Sequence, residues 1–383
     1  MSKVKRTKKK QSDDNEEESG SKQEVSEIDK VISQVKKSKG DQAILNGSSM
    51  PISNHIPTGS FMLDFGLLGG VAEGYATMLY GVESSGKTAI AKKIAGQFQK
   101  KYPDKKVAWV DVEGMFDADW ATKLGANTDD MVVSRPETGQ EAVDVMEAMM
   151  HPVEVGLVVL DSIPACTPYK VLDKSSEDLT MGELARLMGI MCSKIIMAWN
   201  KERKRNHWVT VILMNQYRYK IGVMFGDPRT LPGGRQINHM PSTKVELKNK
   251  EVMGVDRHNN EVVEYNEHEF KLTKTKHGSS IKQGQFKLTI NPDNEKGYNT
   301  GQCMDTTTVC TYAKKMGLVT GGGSNWRIEG VDEKFRTLAD IEQYLFDNED
   351  VYVWLKKAII GMQREEKGLP RIPPDGFLLD WTE

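Results

Sequence analysis

Long apolar runs are missing from this 383-residue chain. No uninterrupted stretch is long and apolar enough to cross a bilayer, and the first residues carry no apolar signal segment. Cysteine is scarce. The four present, Cys166, Cys192, Cys303 and Cys310, show no C-x-x-C spacing. That excludes a disulfide or zinc framework and leads us to expect a protein of the reducing cytoplasm. An excess of either charge is missing too. Lys and Arg number 52 against 54 Asp and Glu, a net charge of −2, so any nucleic-acid surface must be local. No internal repeat is present. The remaining composition, 38% hydrophobic and 28% charged, suits a globular protein with polar extensions, and the length allows two or three domains.

What the sequence does contain is Gly81-Val82-Glu83-Ser84-Ser85-Gly86-Lys87-Thr88, between a short apolar run (Ala76 to Tyr80) and an amphipathic segment (Thr88 to Lys101). Strand, glycine loop and helix in that order are the setting of a phosphate-binding loop. Glycines let backbone N–H groups face a polyphosphate, and the helix N-terminus adds unpaired donors. Lys87 can reach the terminal phosphates, and the Thr88 hydroxyl can ligate Mg²⁺. The chain therefore binds a nucleoside triphosphate.

Residues 1–25 hold a basic block followed by an acidic block, without apolar periodicity, and read as a disordered tail. Ile28, Val31, Ile32 and Val35 then recur at helical spacing, and a loop-like Gly47 to Pro51 follows. Such a helix on a linker can fold onto its own domain or dock on a neighbouring copy. Val107 to Glu113, Val155 to Ser162 and Trp208 to Gln216 are apolar runs ending in polar residues, with helical patterns between them at 139–150 and 181–204. Strands alternating with helices imply a parallel α/β sheet, with ligands at the carboxyl ends of its strands. Asp161 ends one such strand, where a Mg²⁺-holding carboxylate belongs, and Glu113 stands where a carboxylate can deprotonate an attacking water. Thr243 to Leu247, Glu269 to Lys274 and Gln285 to Ile290 alternate apolar with polar and read as strands with one solvated face. Helical patterns return at 305–316 and 351–362.

Taken together, GVESSGKT, Ile56 to Ser60, Asp111 to Glu113, Pro136 to Gln140, Val159 to Ser162, Asn215-Gln216 and Arg218 to Pro228 with Gly233-Gly234 resemble the bacterial RecA recombinases. The resemblance runs from about residue 27 to about 360 and implies an α/β fold. That fold is a RecA-like P-loop ATPase core on a mixed, mostly parallel sheet, with an N-terminal polymerisation helix and a small α+β C-terminal domain. The expected division is 1–25 tail, 26–50 helix and linker, 51–299 core and 300–383 C-terminal domain.

The resemblance also implies roles. Glu113 is the catalytic carboxylate, and Gln216 senses the γ-phosphate of ATP. Asp117 and Trp120 contact adenine, with Trp120 where the family usually has Tyr. Lys274 and Lys276 reach the ATP of the neighbouring subunit. Gly81, Glu83, Ser84, Ser85, Gly86, Lys87 and Thr88 hold the phosphates, and Thr88 and Asp161 hold Mg²⁺. The helix containing Val31 docks on the adjacent protomer, a heterologous contact that builds a filament.

DNA contacts are expected from two segments. One is Asp173 to Thr180 leading into Met181, Gly182 and Arg186. The other is Tyr217 to Arg235, with Arg218, Tyr219, Lys220, Ile221, Phe225, Gly233, Gly234 and Arg235. The arginines and lysine supply positive charge for phosphates, and the rings and apolar side chains supply stacking surfaces. No base-edge code is evident, so binding should tolerate any sequence. The chain departs from the family at Tyr217 and Tyr219 (usually aliphatic), Leu231-Pro232, Gly189 and Ser193. It also lacks the acidic C-terminal tail typical of the family.

The sequence reads as an ATP-dependent recombinase that polymerises on single-stranded DNA and pairs it with homologous duplex. A ring helicase of the same fold and an ATP-gated coat with little turnover are the alternatives.

Overall fold

The computed structural model describes residues 26–40, 43–44, 54–169, 182–219 and 226–370. The expected tail, the segment 173–180, and Met181, Lys220, Ile221 and Phe225 lie outside the described residues. The chain forms two units, 1–52 and 53–383.

In the first unit, helix α1 (Glu27–Lys39) forms where the Ile28/Val31/Ile32/Val35 periodicity predicts it. Ser26 caps it by accepting the Asp29 N–H, acids fill its first turn, and Lys36, Lys37 and Lys39 fill its last. All of these charges oppose the helix dipole. Ile28 and Val31 remain more than half exposed within this unit.

The second unit opens with β1 (His55–Ile56), α2 (Phe61–Gly66), β2 (Val71–Ala72), β3 (Ala76–Gly81) and α3 (Lys87–Lys101). It continues through β4 (Lys106–Asp111), α4 (Ala118–Lys123), β5 (Met131–Ser134), α5 (Gly139–Ala148), β6 (Val155–Asp161), α6 (Glu183–Arg203) and β7 (Thr210–Gln216). Next come β8 (Arg218–Tyr219), β9 (Arg229–Thr230), α7 (Gly234–His239), β10 (Thr243–Val255), β11 (Glu261–Thr275) and β12 (Gln283–Thr289). It closes with α8 (Thr306–Lys315), β13 (Val319–Gly322), β14 (Asn325–Ile328), α9 (Leu338–Asp347) and α10 (Glu349–Glu366).

One eight-stranded sheet organises these elements, in the order β12-β11-β10-β3-β7-β6-β4-β5. From β10 to β5 every pairing is parallel, and β10, β11 and β12 pair antiparallel. The mixed, mostly parallel sheet expected from the sequence is thus present. Its parallel strands read as continuous apolar runs because both faces are covered. Met78, Tyr80, Val110, Leu160 and Leu213 pack on one side with α5 and α6. Leu79, Trp109, Val159, Ile212 and Met214 pack on the other with α3. That second cluster continues through Val309, Ile341, Leu355 and Ile359 of the C-terminal helices. The Asp305 carboxylate accepts the Phe61 N–H at 2.7 Å, and the Phe61 and Tyr312 rings meet edge-on at 5.5 Å.

The antiparallel part is longer than the sequence pattern predicts. Beyond Leu247, β10 has no fully buried residue, so apolar alternation fades while the backbone ladder continues to Val255–Glu261. Periodicity also passes over β5 and α9, whose ends are set by pairing with β4 and by a Thr337–Asp340 capping box.

Candidate active site

The carboxyl ends of β3, β7, β6 and β4 lie side by side, and each carries a residue expected at the site. Gly81 ends β3, Gln216 ends β7 in register with it, and Asp161 ends β6 in register with Asp111 of β4. Glu113 follows two residues after Asp111, its N–H directed at the Asp161 carbonyl. Strands that are unrelated in sequence position thereby bring Gly81, Gln216, Asp161 and Glu113 to one edge.

The phosphate loop bends back between β3 and α3. Gly86 takes φ +88° in the left-handed region, and a Cβ there would strike the His268 ring, so a side chain is excluded twice over. Lys87 is buried, and its ammonium donates to the Val82 carbonyl at 2.7 Å and the Ser85 hydroxyl at 3.2 Å. Burial lowers its pKa, while Asp161, Glu113 and Glu83 oppose that shift. Glu83 and Ser84 are exposed on the loop. The Thr88 hydroxyl donates to Asp161 at 3.2 Å. Asp161 is pushed up to about 7, first by burial and then by the negative charge of Glu113. A part-buried hydroxyl–carboxylate pair next to a second carboxylate, partly offset by Lys87, is a donor set that fits Mg²⁺ bound to a triphosphate.

Three residues to which motif reading gave no role support these groups. The Ser162 hydroxyl donates a short hydrogen bond to Glu113. Asp111 is not free for chemistry. It accepts the Met115 and Phe116 N–H groups and pairs with Arg135 at 3.5 Å, which fixes the loop after Glu113. His268, on β11, lies under the phosphate loop and stacks on Phe286 at 5.0 Å. Burial lowers its imidazole to about 4. Ser162 and Asp111 stood in the motifs beside Asp161 and Glu113, whereas His268 had no sequence signal.

Asp117 and Trp120 sit at the start of α4. The Asp117 carboxylate caps that helix by accepting the Trp120 N–H at 2.9 Å, and the Asp117 carbonyl accepts the Lys92 ammonium at 2.9 Å. Helix α3 is thereby tied to the segment expected to meet adenine. Trp120 is half-buried.

Lys274 and Lys276 do not join the phosphate loop of their own chain. Lys274 is paired with Lys244, which is level with Met78, three residues before Gly81 along β3. Its ammonium donates to the His239 carbonyl, and burial plus the charge of Lys276 lower its pKa.

Among the described residues, the ends of the two segments expected to touch DNA meet at Gly234 and Ala185. A Cβ on Gly234, at φ +81°, would lie 2.7 Å from the Ala185 Cβ, so the start of α7 packs against the start of α6. Gly182 and Gly233 precede these helices in left-handed conformation without side-chain caps. Arg186, Arg218 and Arg235 are exposed, as is Tyr219 at 64%. Tyr217 differs. It is half-buried and packs edge-on against Tyr80 at 5.6 Å, so its ring is held by the protein rather than offered to bases.

Comparison with known proteins agrees with this geometry. The family described as the RecA N-terminal domain matches residues 26–293. The chain is 34% identical over 307 residues to Protein RecA of Ruminococcus albus, covering 79% of this chain and 71% of that protein. To Protein RecA of Oceanobacillus iheyensis it is 30% identical, covering 87% and 90%. To that of Nocardia farcinica it is 30% identical, covering 91% and 96%. The chain, which carries the phosphate loop, the strand-end carboxylates and the loop that begins at Gln216 in one continuous sheet, belongs to the RecA family.

Proposed function

We propose that the chain is an ATP-dependent DNA recombinase. It polymerises on single-stranded DNA and pairs that strand with homologous duplex. The observation that carries this reading is the register Gly81–Gln216 in the β3–β7 pair. The strand that opens the phosphate loop is hydrogen-bonded to the strand that opens the DNA loop.

Lys87, once released from Val82 and Ser85 toward ATP, neutralises charge on the terminal phosphates. Glu113, oriented by Ser162, accepts the proton of the attacking water. Thr88 and Asp161 would hold Mg²⁺, which would add charge neutralisation at the phosphates. Gln216 meets the γ-phosphate and passes its presence to the following loop. Asp117 and Trp120 flank the adenine. Lys274 and Lys276, remote from their own phosphate loop, serve the neighbouring subunit, so hydrolysis depends on assembly. Helix α1, with Ile28 and Val31 uncovered in its own unit, docks on an adjacent copy. Arg186, Arg218 and Arg235 with the backbone at Gly182, Gly233 and Gly234 hold DNA phosphates without reading sequence. The free cysteines fit a cytoplasmic setting.

Electron microscopy and joint-molecule assays test the reading. ATP-dependent filaments on single-stranded DNA and pairing with homologous duplex are expected. Absence of both from active wild-type protein refutes it. Deletion of residues 1–45 should abolish filaments.

A further inference from the structure

We propose that Tyr217, Glu246 and Arg229 form a clasp that positions the roots of the DNA loop according to the state of the phosphate loop. The inference rests on the recombinase reading and concerns residues that reading does not use. The Tyr217 hydroxyl donates to the Glu246 carboxylate at 2.9 Å. The Arg229 guanidinium lies over the Tyr217 ring at 4.8 Å and reaches the same Glu246 oxygen at 3.5 Å. Asp227 takes the rest of that guanidinium, at 3.0 and 2.8 Å. Tyr217 stands on the incoming root and Arg229 on the outgoing one, and the two roots pair as β8 and β9.

The clasp also touches the nucleotide strand. The Tyr217 N–H donates to the Gly81 carbonyl at 3.1 Å, and its ring meets Tyr80. Glu246 is level with Tyr80 in the β10–β3 register. Tyr217 is thus gripped at its backbone by the first residue of the phosphate loop and at its hydroxyl by β10. It directly follows Gln216. A movement of Gln216 toward a γ-phosphate displaces the Tyr217 backbone, which must either carry the phenol with it or break the bond to Glu246. Either outcome re-aims Arg229 and the strand pair that bears Arg218 and Tyr219. The Glu246 side chain is only 13% exposed, so its bonds are made in a partly dehydrated setting where they are strong enough to transmit such a shift. All three are positioning residues, acting through the loop and not on ATP.

Steady-state ATP hydrolysis measured against oligo-dT concentration tests the clasp in the full chain. Tyr217→Phe keeps the ring and its packing and removes only the hydroxyl. It should raise the half-saturating DNA concentration about tenfold or more, the effect of losing one hydrogen bond to a charged, largely buried acceptor. The DNA-free rate and the DNA-free half-saturating ATP concentration should stay as in wild type. Glu246→Gln retains an acceptor oxygen for the phenol and should shift the DNA curve less. A Tyr217→Phe curve superimposed on a DNA-stimulated wild type overturns the clasp and leaves the recombinase reading standing. An equal shift in the ATP requirement without DNA also overturns it, because that marks a general structural role. A wild type that single-stranded DNA does not stimulate overturns both.

Discussion

The two halves of the sheet are built by different rules. In the parallel half, β3, β4, β6 and β7 are buried on both faces, and each ends in a residue of the site: Gly81, Asp111 leading to Glu113, Asp161 and Gln216. In the antiparallel half, β10, β11 and β12 bury alternate residues over only part of their length. That half supplies none of the residues placed on ATP within one chain. It supplies what lies beneath and beside them, His268 under Gly86 and Glu246 beside Tyr217. The parallel half carries the candidate catalytic residues, and the antiparallel half packs against the loops beside them.

Substitutions can break this contrast, beginning with the largest effect. Glu113→Gln should lower kcat by about 10²- to 10⁴-fold, the usual contribution of a general base, while ATP-dependent filaments on DNA persist. Retained turnover would remove Glu113 from the mechanism. In the antiparallel half, Phe270 is 2% exposed and packs on Phe286. Phe270→Ala should cost about 3–5 kcal/mol in denaturant unfolding, as large cavities in cores do. A much smaller loss would show that this half is not part of the folding core.

A pH experiment separates the halves further. The imidazole of His268 is lowered from its usual 6.5 to about 4 by burial. A group with a depressed folded pKa contributes stability that is present above the unfolded value and is lost as pH falls through the folded value. Stability should therefore drop between pH 6.5 and 4 by of order 1–3 kcal/mol, and His268→Phe should flatten that part of the profile. An unchanged slope in the variant would assign the acid sensitivity elsewhere. The smallest effect concerns orientation. Ser162→Ala removes the hydroxyl that holds Glu113 and should reduce kcat about three- to tenfold, with the KM for ATP unchanged. A raised KM with unaltered kcat would assign Ser162 to nucleotide binding instead.

The same contrast explains what the sequence made legible. Where strands are buried on both faces, their apolar runs and terminal Asp161, Glu113 and Gln216 could be read directly, and the sheet order brought them together. Lys87 and Thr88 carried their own spacing. His268 and Glu246 carried none. An imidazole under a glycine loop and a carboxylate beside a tyrosine are products of strand register, Asn249 against His268 and Glu246 against Tyr80, which alternation alone does not specify. Tyr217 read as a base-stacking surface because it lies in a loop-like stretch rich in cations. Only the neighbouring Tyr80 and Glu246 show that its ring and hydroxyl are already engaged. Gly233-Gly234 read as part of a loop, and neither the helix α7 that begins there nor its seat against Ala185 carried a sequence signal.

The proposed function rests on one link, the β3–β7 pairing that sets Gly81 of the phosphate loop beside Gln216. The most direct measurement is the rate of ATP hydrolysis by the wild-type protein with and without single-stranded DNA at saturating ATP and Mg²⁺. A rate that rises severalfold and saturates with DNA is expected. A rate indifferent to DNA at every concentration would contradict the link.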